Sequence, residues 1–165
     1  MRNSKSHSDG MKVRGFFRVQ LTEDGKGVVG DSGWKENQIT DLGIRQYIVD
    51  WLCSGAGKSV THMALGTGGA PASNATSLTG ELTHSTSGRA AVSSSVVASG
   101  TAQFTGAFAS AASFVTTTAN ISNIGLFNTS TTGIGTLFAG NTFASSSCAT
   151  NQSVNATYQI RFASV

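Results

Sequence analysis

The stretch from residue 154 to residue 162 reads Val-Asn-Ala-Thr-Tyr-Gln-Ile-Arg-Phe. Apolar side chains occupy every second position of this stretch, and polar side chains occupy the positions between them. Successive side chains of a β-strand point to opposite faces of a sheet, so this alternation predicts a strand with one buried and one exposed face. The clearest structural signal in the chain is therefore a β-strand close to its C-terminus.

Similar patterns recur toward the N-terminus. Residues 11–21 alternate in the same way, and Asp24-Gly25 predicts the tight turn of an N-terminal β-hairpin whose return strand starts at Val28. Several short strands separated by Gly, Ser and Asn predict a mainly β protein, with a β-sandwich or jelly-roll-like domain. The other expected strands cover residues 60–65, 89–98, 101–109, 120–128 and 135–143, with loops over 66–77, 116–119 and 145–151.

One amphipathic helix is expected near residues 40–54. Thr40 or Asp41 can cap its start, and the glycines that follow Ser54 can end it. We expect its apolar stripe to pack firmly on a sheet, because burying two aromatic rings is strongly favourable. The stripe consists of Ile44, Tyr47, Ile48, Trp51 and Leu52.

Charge is concentrated in the first half of the chain. Only 12% of the 165 residues are charged, the net charge is +3, and residues 90–160 contain no Asp, Glu, Lys or Arg. A surface without charges has no long-range repulsion between copies, which suits a protein of an assembly. The small net charge argues against a nucleic-acid partner. No apolar run reaches the roughly 18 residues of a membrane helix, so no membrane partner is expected.

The domain organisation is expected to be simple. Residues 1–10 are polar, lack the apolar core of a signal peptide and predict a mobile N-terminal arm. Residues 11–165 then form a single β-rich domain, in which 11–58 supply the hairpin and helix and 59–165 supply the sandwich. Cys53 and Cys148 are expected to be buried free thiols.

The sequence offers no convincing catalytic site, and we expect neither an enzyme nor a cofactor or metal site. Residues 55–59 resemble the end of a phosphate-binding loop, but a helix precedes them and a strand follows, the reverse of what that loop needs. His7, His62 and His84 lack metal-ligand spacing. Glu81 is the last acidic residue, which leaves few carboxylates for hydrolysis.

Exposed aromatic residues would be the anchors of a partner-binding surface. Phe16, Trp34 and Phe138 can lie off the core face, although packing in the core is the simpler explanation for them. Rim cations would adjust the association rate and its salt dependence. The candidate partner-binding residues are Arg14, Phe16, Arg18 and Trp34, and the arm would add Arg2 and Lys5.

Two segments carry a resemblance to a known family. Residues 62–71 contain Ala-Leu-Gly-Thr-Gly, and they are followed by Thr76-Ser-Leu78, Gly80-Glu-Leu82 and Arg89. Residues 120–128 read Asn-Ile-Ser-Asn-Ile-Gly-Leu-Phe-Asn. This set of motifs resembles a pattern in virion structural proteins of tailed bacteriophages. Asn123 stands where relatives often carry an acid, which leaves open whether Arg89 has an ion-pair partner.

The resemblance implies a non-enzymatic virion protein. The first expectation is a capsid decoration (cement) protein that binds the major capsid protein and stabilises the shell. Tail-fibre, baseplate or other tail components, which would bind tail proteins, and a receptor- or carbohydrate-binding β-sandwich are the alternatives. We expect a homo-oligomer, a trimer in preference to a dimer, made in the host bacterial cytoplasm and located on the capsid surface of the virion.

Overall fold

The computed structural model describes residues 10–83 and 88–164 of the chain. Strands account for 54% of the structure, so the prediction of a mainly β protein is confirmed. Of the arm predicted over residues 1–10, only Gly10 lies within the described residues. The strands are β1 (Met11–Glu23), β2 (Gly27–Asp31), β3 (Lys35–Ile39), β4 (His62–Gly66), β5 (Ala90–Ala98), β6 (Thr101–Phe108), β7 (Ala119–Phe127), β8 (Leu137–Cys148) and β9 (Gln152–Ser164).

The strands close into an antiparallel barrel, where the sequence favoured a sandwich or jelly roll. Eight strands follow one another in the order β1, β3, β8, β7, β4, β5, β6 and β9, and β9 pairs back with β1. The remaining strand, β2, forms the predicted N-terminal hairpin with the last residues of β1. Polar and apolar side chains alternate in the same way in a barrel and in a sandwich, so the sequence pattern did not distinguish the two.

Closure of the barrel depends on the pairing of β1 with β9. These two strands pair along their full length, from Met11 opposite Ser164 to Glu23 opposite Gln152. Inside the barrel the rings of Phe17 and Tyr158 stack with 5.5 Å between their centroids. The N-terminal segment 11–58 and the segment 59–165 therefore share one closed sheet.

The two ends of the barrel carry different connections. At one end β1 begins, β9 ends and β3 leads into the helical segment; we call this the helix end. Because neighbouring strands are antiparallel, the β5–β6 turn and the β7–β8 loop lie at the helix end as well. The opposite end, which we call the turn end, carries the β1–β2 and β8–β9 turns.

The predicted helix is present over residues 41–54. It consists of α1 (Asp41–Gly43), a π-helical turn (Ile44–Val49) and α2 (Asp50–Ser54). The Thr40 hydroxyl caps it by accepting the Gly43 N–H at 2.9 Å, and Gly55 ends it in the left-handed conformation. Gly43 is required by close approach, since a Cβ there would overlap the carbonyl oxygen of Phe138 on β8. The helix therefore begins in direct contact with the barrel wall.

The apolar stripe of the helix is only partly docked, which corrects the expectation of firm packing. Tyr47 is buried, its ring centroid lies 4.9 Å from that of Phe138, and its hydroxyl donates to the carbonyl of Thr136 at 2.5 Å. Trp51 and Leu52 are exposed, and so is Ile44. Only the turn that contains Tyr47 faces the mouth of the barrel, so the remainder of the stripe projects beyond it.

The loop between β4 and β5 covers the outside of the barrel wall at β7. Ile124 and Leu126 of β7 belong to the inner core. Phe127 instead packs with Leu78 of the loop and Leu137 of β8 in a second, smaller cluster. Residues 124–127 of β7 are thus buried on both faces, which explains why they form an unbroken apolar run.

A buried ion pair stabilises this loop against the barrel wall. The Arg89 guanidinium donates to both carboxylate oxygens of Glu81, at 2.6 and 3.1 Å, and lies 3.4 Å from the ring centroid of Phe127. The amide of Asn123 donates to the carbonyls of Gly69 and Thr79. Arg89 therefore obtains its carboxylate from Glu81, and Asn123 holds the loop through neutral hydrogen bonds.

Three local features differ from what the sequence predicted. β3 was not predicted, and residues 145–148 belong to β8 where a loop was expected. Phe138 is buried against Tyr47, in agreement with core packing, the simpler of its two explanations. Cys148 is buried as expected, but Cys53 on the helix is exposed. β3 and residues 145–148 were missed for the same reason. They pair with neighbouring strands through their backbones, but their side chains do not alternate between apolar and polar.

Candidate partner-binding surface

Three of the four candidate residues lie on the outer face of β1. Val13, Gly15 and the following odd-numbered residues of β1 face the barrel interior, whereas Arg14, Phe16 and Arg18 face outward. Trp34 is about half exposed and directly precedes β3, one position beyond the Phe17–Lys35 pair. The register therefore brings Trp34 to the edge of the same outer face, next to the position of Arg18.

Phe16 and Arg14 both lie next to Arg161 of the last strand, β9. Arg14 stands directly opposite Arg161 of β9 in the ladder. The guanidinium of Arg161 lies 4.6 Å from the centroid of the Phe16 ring, so it partly covers this aromatic side chain. Like charges opposite each other in a ladder repel, and neither arginine forms an ion pair within the described residues. This spot combines unpaired positive charge with a partly shielded ring.

Arg18 already forms an ion pair within the chain. Its guanidinium donates to both carboxylate oxygens of Asp31 on β2, and Gln20 donates to the same carboxylate at 3.1 Å. The hydrogen bond from Arg18, followed by that from the Gly33 N–H, holds the pKa of Asp31 well below its usual range. The Arg18 charge is therefore neutralised within the chain, which makes it a weaker candidate for an intermolecular contact.

The sequence did not identify a second candidate surface, a concentration of exposed apolar side chains at the helix end. Eight of the eleven exposed large apolar side chains among the described residues lie at this end, and the relative exposure of Leu52 and Val96 reaches 80% and 82%. We call this surface the apolar end. It comprises Met11, Ile44, Val49, Trp51, Leu52, Val96, Val97 and Ile134.

A sequence signal for the apolar end existed on the helix itself. The stripe of Ile44, Tyr47, Ile48, Trp51 and Leu52 is already broad, and Val49 widens the apolar arc beyond what one barrel mouth can cover. A helix that is apolar around most of its circumference needs a second surface to bury it. For Val96 and Val97 the strand pattern contains no comparable signal, because their exposure results from the projection of the β5–β6 hairpin.

Positive side chains surround the apolar end. Lys12, Arg14 and Arg161 lie where β1 begins and β9 ends, and Arg45 and Lys58 belong to the helix and the segment that follows it. Asp41 and Asp50 are the acidic residues of the helix. Cations therefore outnumber carboxylates around this surface, which favours a partner surface that carries carboxylates.

His62 and Lys58 form hydrogen bonds within the chain, whereas His7 and His84 lie outside the described residues. His62 exchanges a 2.8 Å hydrogen bond with the neighbouring Thr61 hydroxyl, and burial, with the nearby Arg89 charge, lowers the pKa of its imidazole. Lys58, in the phosphate-loop-like segment, donates to the Thr136 hydroxyl at 2.5 Å. In residues 10–83 and 88–164, no cluster of three or more His, Cys, Asp or Glu side chains could hold a metal ion.

Comparisons with known proteins do not add to this description. No family model, no curated protein and no solved structure matches the chain. Within the part of the chain that the structure describes, no helix has the length and apolar character needed to cross a membrane.

Proposed function

We propose that this chain is a non-enzymatic virion structural protein, a capsid decoration protein that binds the major capsid shell and stabilises it. The observation that carries the proposal is the concentration of exposed apolar side chains at the helix end. A concentration of exposed apolar side chains is typical of an interaction site. Together with the resemblance of residues 62–89 and 120–128 to phage virion proteins, it supports permanent attachment over catalysis.

The apolar end is suited to face the shell. Trp51 and Leu52 project from the helix, and Val96 projects from the β5–β6 hairpin. Covering a large apolar side chain contributes about 1.5–3 kcal/mol, so a few such anchors can support stable binding. These residues take over the anchoring role that the sequence assigned to Phe16 and Trp34.

The charges of the helix end support the same orientation. Lys12 and the Arg14–Arg161 pair stand at the rim of the apolar end, without carboxylate partners among the described residues. Carboxylates on the shell would relieve the repulsion between the two arginines. We therefore expect association to slow as salt is added, while the dissociation rate depends mainly on the apolar anchors.

The sides of the barrel support packing between copies. Apart from Arg161 near the helix end, the outer faces of β5, β6 and β9 present small hydroxyl and amide side chains without charge, including Ser93, Ser95, Gln103, Thr105 and Thr157. Neutral flanks can approach one another without repulsion, and a closed ring around a symmetry axis limits further association. We propose a homo-oligomer, with a trimer preferred over a dimer, standing on the capsid surface.

The test adds the purified chain to capsid shells that lack it. We expect saturable binding at hundreds of copies per shell, faster dissociation of Leu52→Ser, and unchanged dissociation of Val28→Ser. Val28 is a matched control because it is an exposed aliphatic residue toward the turn end.

The outcomes separate function from orientation. Absence of binding to shells, with a few copies found on tails instead, would replace the decoration function with a tail function. Binding to shells that Val28→Ser weakens and Leu52→Ser does not would keep the function and reverse the orientation.

A further inference from the structure

We propose that the cavity between the helix and the mouth of the barrel binds a small amphipathic anion, namely a medium-chain alkyl carboxylate. The cavity has a volume of about 290 Å³. This binding site goes beyond the decoration function. The cavity lies beneath the helix and shares Trp51 with the apolar end, whereas the outward anchors Leu52 and Val96 do not line it.

The walls of the cavity are mainly apolar. The helix contributes Tyr47, Ile48 and Trp51, and β6 and β9 contribute Phe104 and Phe162, with other strand residues completing the wall. The π-helical turn between Ile44 and Val49 changes the helical register just above this space. Turns of this kind occur frequently at functional sites. An apolar space bounded by aromatic rings suits a hydrocarbon chain.

One wall residue is a cation. Lys58 lines the cavity, is partly buried, and forms no ion pair within the described ranges 10–83 and 88–164. Its ammonium group donates to the hydroxyl of Thr136, which in turn donates to the side-chain carbonyl of Gln46 at 2.9 Å. These hydrogen bonds hold the ammonium in place without neutralising it. A partly buried cation beside an apolar space is complementary to an anion with an apolar tail.

The volume sets the size of the ligand. At about 30 Å³ for each non-hydrogen atom, the share of a water molecule in the liquid, 290 Å³ holds on the order of ten such atoms. Octanoate has about this size, with its carboxylate at Lys58 and its chain against the aromatic walls. For a ligand this small we expect a dissociation constant on the order of 0.1 mM.

Trp51 on the cavity wall provides the readout. The chain has two tryptophans, so the Trp34→Phe variant reports on Trp51 alone. We expect octanoate to change Trp51 fluorescence saturably. Lys58→Met should weaken octanoate binding about tenfold, because it removes the charge-assisted contact, and leave octan-1-ol unaffected. Lys35→Met is the matched control, since Lys35 lies on β3 and not on the cavity wall.

A second variant tests the location. Ala102 lines the cavity from β6, and Ala102→Leu should reduce the binding of both octanoate and octan-1-ol by filling the space. No saturable signal with either ligand would overturn the proposal. It would equally be overturned if octanoate bound as well to Lys58→Met as to the parent, or if Ala102→Leu left the affinity of both ligands unchanged.

Discussion

Apolar side chains lie outside the barrel both at the loop-covered wall of β7 and at the helix end. They are covered at the wall and exposed at the helix end. At the wall, Phe127 and Leu137 are covered by Leu78 of the loop. At the helix end, Trp51 and Leu52 remain exposed, and a cavity lies beneath them. One region is an interface completed within the chain, and we propose that a partner completes the other.

The polar contacts of the two regions explain the difference. The loop is fastened by the buried Glu81–Arg89 pair and by the amide of Asn123. The helix is fastened by neutral contacts at Thr40 and Tyr47 and by the single ammonium of Lys58. The strongest polar interaction, the buried ion pair, therefore lies in the region whose apolar side chains are already covered.

The largest effect is expected from breaking the buried ion pair. Arg89→Met leaves the Glu81 carboxylate buried without a counter-charge, so we expect the free energy of unfolding to fall by about 3–5 kcal/mol in urea titrations. Arg18→Met removes an exposed ion pair and should change stability little. A small effect of Arg89→Met would show that the stability of the loop does not depend on the ion pair.

A pair of leucines compares the two regions directly. Leu78→Ala opens a gap beneath the loop and should cost about 2–5 kcal/mol of stability. Leu52→Ser should change stability by no more than about 0.5 kcal/mol, because an exposed side chain has no packing to lose. Thermal or urea unfolding of both variants measures the contrast, and a large loss of stability in Leu52→Ser would mean that Leu52 is covered in the isolated protein.

The start of the helix should not tolerate a side chain larger than that of glycine at position 43. Gly43→Ala places a methyl group against the Phe138 carbonyl, so the helix must move away from β8. We expect a loss of about 1–3 kcal/mol and faster hydrogen exchange of the amides in residues 44–54. Gly25→Ala, in the open β1–β2 turn, contacts nothing and is the steric control, although its positive φ adds a small strain. Unchanged exchange in Gly43→Ala would show that the helix tolerates displacement.

The smallest effect concerns the hydroxyl of Tyr47. Tyr47→Phe loses the hydrogen bond to Thr136 and should cost about 0.5–1.5 kcal/mol near neutral pH. Burial raises the pKa of Tyr47 far above its ordinary value of 10.0, so its contribution is complete below that pH and is lost as the pH rises above it. Unfolding measured between neutral pH and about pH 11 should show a shallower alkaline decline in Tyr47→Phe than in the parent, and parallel curves would contradict this assignment.

Local features of the fold were accessible from the sequence. The alternation over residues 154–162 predicted β9, and the cap at Thr40 with the stripe around Tyr47 predicted the helix. β3 was missed because Lys-Glu-Asn-Gln-Ile contains a single apolar residue and becomes a strand only between β1 and β8. Barrel closure also depends on a non-local pairing, that of β1 with β9, which no local pattern encodes.

The candidate surface was accessible only in part. The outward positions of Arg14, Phe16 and Arg18 follow from the period of two along β1. Arg18 is neutralised by Asp31, and Phe16 is shielded by Arg161. Both contacts depend on which strands become neighbours. The exposure of Leu52 depends on how much of the helix the barrel mouth covers, a geometric property of the closed barrel.

The central claim, that the helix end faces the shell, is tested most directly by the reactivity of Cys53. This thiol is exposed on the helix, whereas Cys148 is buried and burial raises its thiol pKa, so a thiol reagent should label Cys53 selectively. Labelling is compared for the free chain and the shell-bound chain, with Cys53→Ser/Val28→Cys reporting on the turn end. We predict that Cys53 becomes protected on binding while the thiol at position 28 stays reactive. Equal labelling of Cys53 in the free and bound chain, with protection at position 28, would contradict the claim.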